Sequence, residues 1–464
     1  MPRRLFAVVT LVCGAAGALP ATASAGAPGV ELWSARHEWF GDSDEATALA
    51  VSPDGARVFV TGSVTKGIGG YGSIGTVAND TATGDKLWAS LYDIPGRGGG
   101  GEDIEMSPDG SHVYVTGYIG GPNGYSYATV AYDASTGAEL WARRYQGSGY
   151  DVARAVDVNP DGSSVFVTGI SARSSHGLQY VTLSYDASTG VKLWTRRYHA
   201  PGPDDAQGRT DAWAEDLEVS PDGSTVFVTG SSFQSVSRKR DYATLAYDAT
   251  TGSRLWISRY DGPAHRVDLA ADLAVSPDGS RVFVTGRSPS GTTSRVDYAT
   301  VALDAATGTN LWTSRYDGPD NGVAHSGDEA RALAVSPDGS SVFVTGASVG
   351  VTIDDGVATV AYDAATGAQR WVTRCCNANV RGLVVSPDGS QVFVVGTSSS
   401  WIYTTVAYGS DTGAKLWVEQ YVEPEYTNRA AAIEVSPTGS QVFVTGSSVA
   451  ENSYDYLTVA YATG

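Results

Sequence analysis

Positive charge, histidine, methionine and cysteine are all scarce in this chain, and each shortage removes a class of function. The 464 residues hold 31 Lys and Arg against 50 Asp and Glu, a net charge of −19. A surface this acidic repels phosphate backbones and anionic headgroups, so neither nucleic acid nor membrane is expected as a partner. The six histidines and three cysteines form no zinc-ligand spacing, and no Ser-His-Asp arrangement stands out. His176, His199, His265 and His325 are spread over variable loops. The glycine run Gly98 to Gly101 opens onto a strand, without the helix that a phosphate site needs. Past Leu19 no stretch approaches the ~20 apolar residues of a membrane-spanning helix.

What is present begins with a leader. Arg3 and Arg4 precede an apolar run from Leu5 to Leu19, followed by the small residues Ala23-Ser24-Ala25. This pattern predicts a signal peptide over residues 1–25 and a single mature domain over 26–464. Cys13 follows Val12 inside the apolar run, which does not suit a lipoprotein. Losing Arg3 and Arg4 takes the net charge from −19 to −21. A secreted, soluble, monomeric protein is expected. The preference for Arg over Lys, with abundant Ala and Gly, fits a bacterium of high GC content.

Internal repetition overrides any estimate of domain number from length. A Ser-Pro-Asp-Gly turn or a close variant recurs at Ser52, Ser107, Asn159, Ser220, Ser276, Ser336, Ser386 and Ser436, eight copies spaced by 50 to 61 residues. Each is followed by a phrase such as Arg281-Val-Phe-Val-Thr-Gly286, then a variable stretch. A phrase such as Tyr298 to Gly308 comes next, then Leu311-Trp-Thr-Ser-Arg-Tyr316. Each unit reads as four strands, here A330–V335, S341–T345, A358–Y362 and R370–R374 in the sixth copy, rich in the residues that favour β geometry. Four short strands at this period predict propeller blades. The last unit stops after its third strand, at Gly464, while an unmatched fourth strand, Glu31 to Arg36, stands at the start. The expected fold is therefore all-β: a closed eight-bladed propeller of four-stranded antiparallel blades, with the N-terminal strand completing the last one.

The segment between third and fourth strands, such as Ala131, Asp133, Thr136, Gly137 and Trp141, resembles the tryptophan-docking motif of pyrroloquinoline quinone (PQQ) enzymes. The full pattern also holds from Ala78, Ala246, Ala302 and Ala361. Ser184 replaces the alanine in blade 3, and Gly409 replaces the aspartate in blade 7. The Ser-Pro-Asp-Gly phrase is similar to lactonase-type and surface-protein propellers. In the quinoprotein family the motif is structural, so the resemblance implies the fold more strongly than the cofactor.

The constant turns read as scaffold, and the variable connections on the other face read as the place for function. Eight of the eleven tryptophans occupy docking positions. The other three, Trp39, Trp213 and Trp401, fall on the variable connections together with Tyr125, Tyr150, Tyr426 and Tyr454, and are candidate ligand contacts. Cys375 and Cys376 are adjacent and expected to oxidise after export. With Arg381 they resemble the vicinal disulfide loop that covers the quinone in PQQ alcohol dehydrogenases, although that family's calcium-binding and catalytic acids have no matching motif here. Acidic residues on the inner strands, Asp103, Asp216, Asp272 and Glu434 among them, are candidate ligands for Ca²⁺. The reading these features favour is a secreted binding scaffold for a glycan, surface polymer or protein. A PQQ- and calcium-dependent dehydrogenase is the first alternative, and a lactonase-like or polysaccharide-cleaving enzyme the second.

Overall fold

In the computed structural model, the described residues are 26–464 without 41–42, 67–71, 122–123, 173–176, 201–210, 235–238, 292–294, 320–326, 349–355, 424–426 and 451–452. The leader, with Arg3, Arg4 and Cys13, lies outside them, as do His176, His325 and Tyr426.

Thirty-two strands form eight four-stranded antiparallel sheets. Seven blades are continuous in sequence, each with strands A to D in order from the inside outward. In blade 6 these are Asp328–Val335, Ser341–Ser348, Val357–Asp363 and Gln369–Cys375, which contain the spans expected from sequence. In the eighth blade, strands Thr427–Val435, Gln441–Ala450 and Ser453–Ala462 are completed by the N-terminal strand Glu31–His37, pairing Trp33 with Ala460 and His37 with Tyr456. The ring is closed as expected.

A blade cannot cover its two apolar faces alone, so neighbours stack. Each interface buries the strand-B phenylalanine of one blade against strand-B valines and a strand-C tyrosine of the next, as Phe283 against Val342, Val344 and Tyr362. The docking tryptophans tie these interfaces together. Trp256 Nε1 donates to the Ala305 carbonyl of the following blade at 2.9 Å, and Trp33 does the same to Thr81 at 2.8 Å across the closure. The glycine of the motif is required twice over. Gly308 has φ of 72°, and a Cβ there would lie 2.5 Å from the Trp256 ring.

The inner strands carry a further regularity. In every blade, strand A is interrupted at one residue near its start, and that β-bulge residue has no partner on strand B. In order round the ring these are Thr47, Glu102, Arg154, Glu215, Ala271, Arg331, Arg381 and Ala431. Bulges re-aim side chains, and here they place one residue per blade at the mouth of the axial channel.

Candidate functional site

A cavity of about 510 Å³ opens on the face of the D–A and B–C connections. Residues from seven blades line it, which places it on the ring axis, and all the bulge residues except Arg154 are among them. The two sides of this mouth differ in charge balance. In blades 2 to 4 two glutamates face one arginine: Arg154 donates to Glu102 at 3.0 Å and stands near Glu215. Burial alone would lower the Arg154 pKa, but Glu102 and Glu215 raise it. Burial pushes Glu215 upward, partly offset by Arg154.

In blades 6 to 8 the balance is reversed. Arg331, Arg381 and Arg429 face the same space. Glu329 is shared between Arg287, at 2.6 Å, and Arg331, at 3.4 Å. Arg381 has no hydrogen bond or ion pair with any described residue. Its pKa is lowered, first by burial and then by Arg331 and Arg429. Arg429 is held by aromatic faces instead of carboxylates, 4.4 Å from the Trp401 ring centre and 5.6 Å from that of Tyr454. A second cavity of about 390 Å³ shares Arg381 and Arg429 with the first and runs outward over Asn377, Asn379, Thr397 and Trp401. Two residues beside it, Cys376 and Trp401, hold left-handed backbone at φ of 38° and 58°. Such backbone is costly away from glycine and collects at functional positions.

The sequence candidates separate accordingly. Trp401, 45 % exposed, and Arg381 come together. Trp39 and Trp213 do not join them. Trp39 packs edge-on against Tyr456 and His37 between blades 8 and 1. Trp213 lies within strand A of blade 4 (Ala212–Val219), not on a connection, with Arg240 3.7 Å over its ring. Trp401→Ala is therefore expected to change unfolding free energy by less than ~0.5 kcal/mol, as an exposed site does. Trp213→Ala should cost more than ~1 kcal/mol, though less than the ~3–5 kcal/mol of a fully buried tryptophan. Urea titrations of the two variants check the contrast.

Cys375 and Cys376 form the vicinal disulfide, but its placement does not suit a roof over the axial mouth. Cys375 is buried in the interface between blades 6 and 7, where its Sγ accepts from Tyr408 Oη at 2.9 Å. Among the acidic residues of the inner strands, Asp216 and Asp272 line one small axial cavity with Glu105, Asp157 and Glu218. Asp103 accepts from the Val156 N–H of the next blade at 2.8 Å. Asp216 likewise accepts from Leu273 at 3.1 Å, and Asp272 from Leu333 at 2.7 Å. They act as clamps between successive inner strands, the charged acceptor strengthening each bond. Glu434 is buried on the corresponding strand of blade 8. These residues do not fit PQQ with its metal: the disulfide faces a core, and the acids bridge backbone. His199 and His265, the described loop histidines, lie on different blades and are exposed.

Arg331 and Arg429 are not among the site residues expected from sequence. The available signal was arginine on the first half of strand A in three consecutive blades.

Comparison with known proteins places the architecture. No curated protein matches the chain in sequence. Among solved structures, Sqt1 of Chaetomium thermophilum bound to the N-terminus of the ribosomal protein L10 is similar, with TM-score 0.59 and 14 % identity over 91 % of this chain and 98 % of that one. BamB from Moraxella catarrhalis matches with TM-score 0.51 and 14 % identity, covering 93 % and 97 %. The quinohemoprotein alcohol dehydrogenase of Comamonas testosteroni gives 0.56 and 14 %, covering 94 % and 76 %. At such identities the likeness is one of fold. In sequence, residues 72–232, 183–359 and 297–458 match a PQQ-repeat family, and the chain belongs to that family, described as outer membrane protein assembly factor BamB.

Proposed function

We propose that the protein is a secreted, non-catalytic binding propeller whose axial mouth receives an anionic group, with an acidic glycan or surface polymer as the partner. The observation that carries this reading is Arg381, exposed in the axial mouth between Arg331 and Arg429 with no carboxylate bonded to it among the described residues. Three guanidiniums around one cavity repel one another, and a ligand carboxylate or sulfate offsets that repulsion through bidentate bonds. The cavity walls concentrate this local field against the acidic background of the molecule. Trp401 supports a sugar in particular: its indole stands at the outer end of the same groove, where the apolar face of a pyranose can stack while the acid group reaches the arginines.

Binding to immobilised polygalacturonate, neutral dextran and poly-glutamate tests the proposal. Retention on polygalacturonate that weakens with salt, with no retention on dextran, is the expected result. Equal retention on dextran would overturn the anionic reading. Equal retention on poly-glutamate, unaffected by Trp401→Ala, would replace the glycan by an acidic protein segment, in line with the propeller that holds a protein N-terminus.

A further inference from the structure

At the junction of blades 4 and 5, outside the axial mouth, three carboxylates converge. Asp241 stands near the start of strand C of blade 4 (Lys239–Asp248), Asp261 follows strand D (Arg254–Tyr260), and Asp268 precedes strand A of blade 5 (Leu269–Val275). Their nearest oxygens all lie within 4.8 Å of one another, the one such group among the described residues. Asp241 and Asp268 are fully buried, whereas Asp261 is open to solvent.

Proximity alone is weak, because exposed acids often cluster. The second observation is that neither carboxylate oxygen of Asp241 has a hydrogen-bond partner, and Asp268 Oδ1 has none either. Asp268 Oδ2 accepts from Gly262 N–H at 2.8 Å. A buried carboxylate without donors is strongly disfavoured unless a cation neutralises it.

The repeat supplies an internal control. In blade 5, Asp297 holds the position of Asp241, opposite Ser288 as Asp241 is opposite Ser232. There Arg315 from strand D donates to Asp297 at 2.8 Å and neutralises it. Blade 8 uses Arg36 and Asp455 in the same way. Blade 4 has the matching arginine, Arg259, but its guanidinium bonds Tyr198 Oη and Ser232 Oγ and leaves Asp241 facing two other aspartates. His265, just outside, holds left-handed backbone at φ of 48° and donates from Nδ1 to Asp261 at 2.8 Å.

From this geometry we infer that Asp241, Asp261 and Asp268 bind a divalent, oxygen-preferring cation of the calcium class at the junction of blades 4 and 5. Two buried carboxylates anchor the ion, and exposed Asp261 leaves an entry side where water completes the shell, since Ca²⁺ takes six to eight oxygens.

Calorimetric titration of CaCl₂ into the chelator-treated full protein at pH 8, paired with thermal melts, tests the site. One saturable site and a higher melting temperature are expected. Asp261→Asn, at the exposed rim, should weaken binding by roughly tenfold. Asp241→Asn should abolish it and raise the melting temperature of the ion-free protein at pH 8. Arg381→Gln should leave calcium affinity unchanged, so the result is independent of the proposal for the axial mouth. Absence of binding by the wild type, unchanged affinity in Asp261→Asn, or a lower ion-free melting temperature in Asp241→Asn would each overturn the inference. The last of these would mean that Asp241 is already neutralised, by Arg259.

Discussion

Deleting Glu31 to Phe40 is expected to abolish the cooperative melt of the propeller and send the protein into aggregates. The segment supplies the outer strand of blade 8, so its loss bares the edge and faces of Ser453–Ala462. It also removes Trp33, which is buried and bonded to Thr81 of blade 1. That tryptophan alone is worth ~3–5 kcal/mol, a large share of the ~5–15 kcal/mol that holds a typical folded domain together. Arg36 goes with it, and with it the ion pairs to Asp455 and Glu423. An opened ring exposes strand edges that pair with other chains. Size-exclusion chromatography and circular dichroism melts read the outcome. A monodisperse truncation with an unchanged melting temperature would contradict closure by the N-terminal strand.

The second large effect concerns the docking ring. Trp312→Ala should cost ~3–5 kcal/mol of unfolding free energy, the range for burying nothing where an aromatic side chain stood. The indole lies between Phe343-type and Tyr-type partners, here Phe283 in its own blade and Tyr362 in the next, and donates to Ala364 at 3.0 Å. Gly308→Ala should be of similar severity by a different route. It forces a side chain into left-handed backbone and into the Trp256 ring at once. Guanidinium titrations of both variants check this, and a loss below ~1 kcal/mol in either would show that the interfaces do not depend on the motif.

These two effects rest on what the sequence makes readable. A strict repeat with one strand misplaced from end to start leaves little choice of topology, and the spacing of Ala302, Thr307, Gly308 and Trp312 defines a packing unit by itself. The site was less legible because it arises between blades. Arg381 was visible as a candidate, but its significance depends on Arg331 and Arg429 standing beside it with too few acids, a balance set by the ring. The inner acids are legible only in part: parity aims Asp103, Asp216 and Asp272 at the axis, where Asp216 and Asp272 share a small cavity, and each also reaches sideways to the backbone of its neighbour. Asp241 was passed over because Asp297, in the same place one blade on, is an ordinary ion-pair partner. Only the direction in which Arg259 points distinguishes them.

The role proposed for Arg381 is to receive an acid group from a ligand. Its most direct test is isothermal titration of a short oligogalacturonate into the wild-type protein and into Arg381→Gln, each at low and at physiological salt. The wild type should bind with an affinity that falls as salt rises, and Arg381→Gln should lose about tenfold or more of it while melting at an unchanged or higher temperature, since repulsion among three neighbouring arginines has been relieved. Equal affinities in the two proteins, or a lower melting temperature in Arg381→Gln with binding intact, would contradict the claim and make Arg381 a structural residue of the axial mouth.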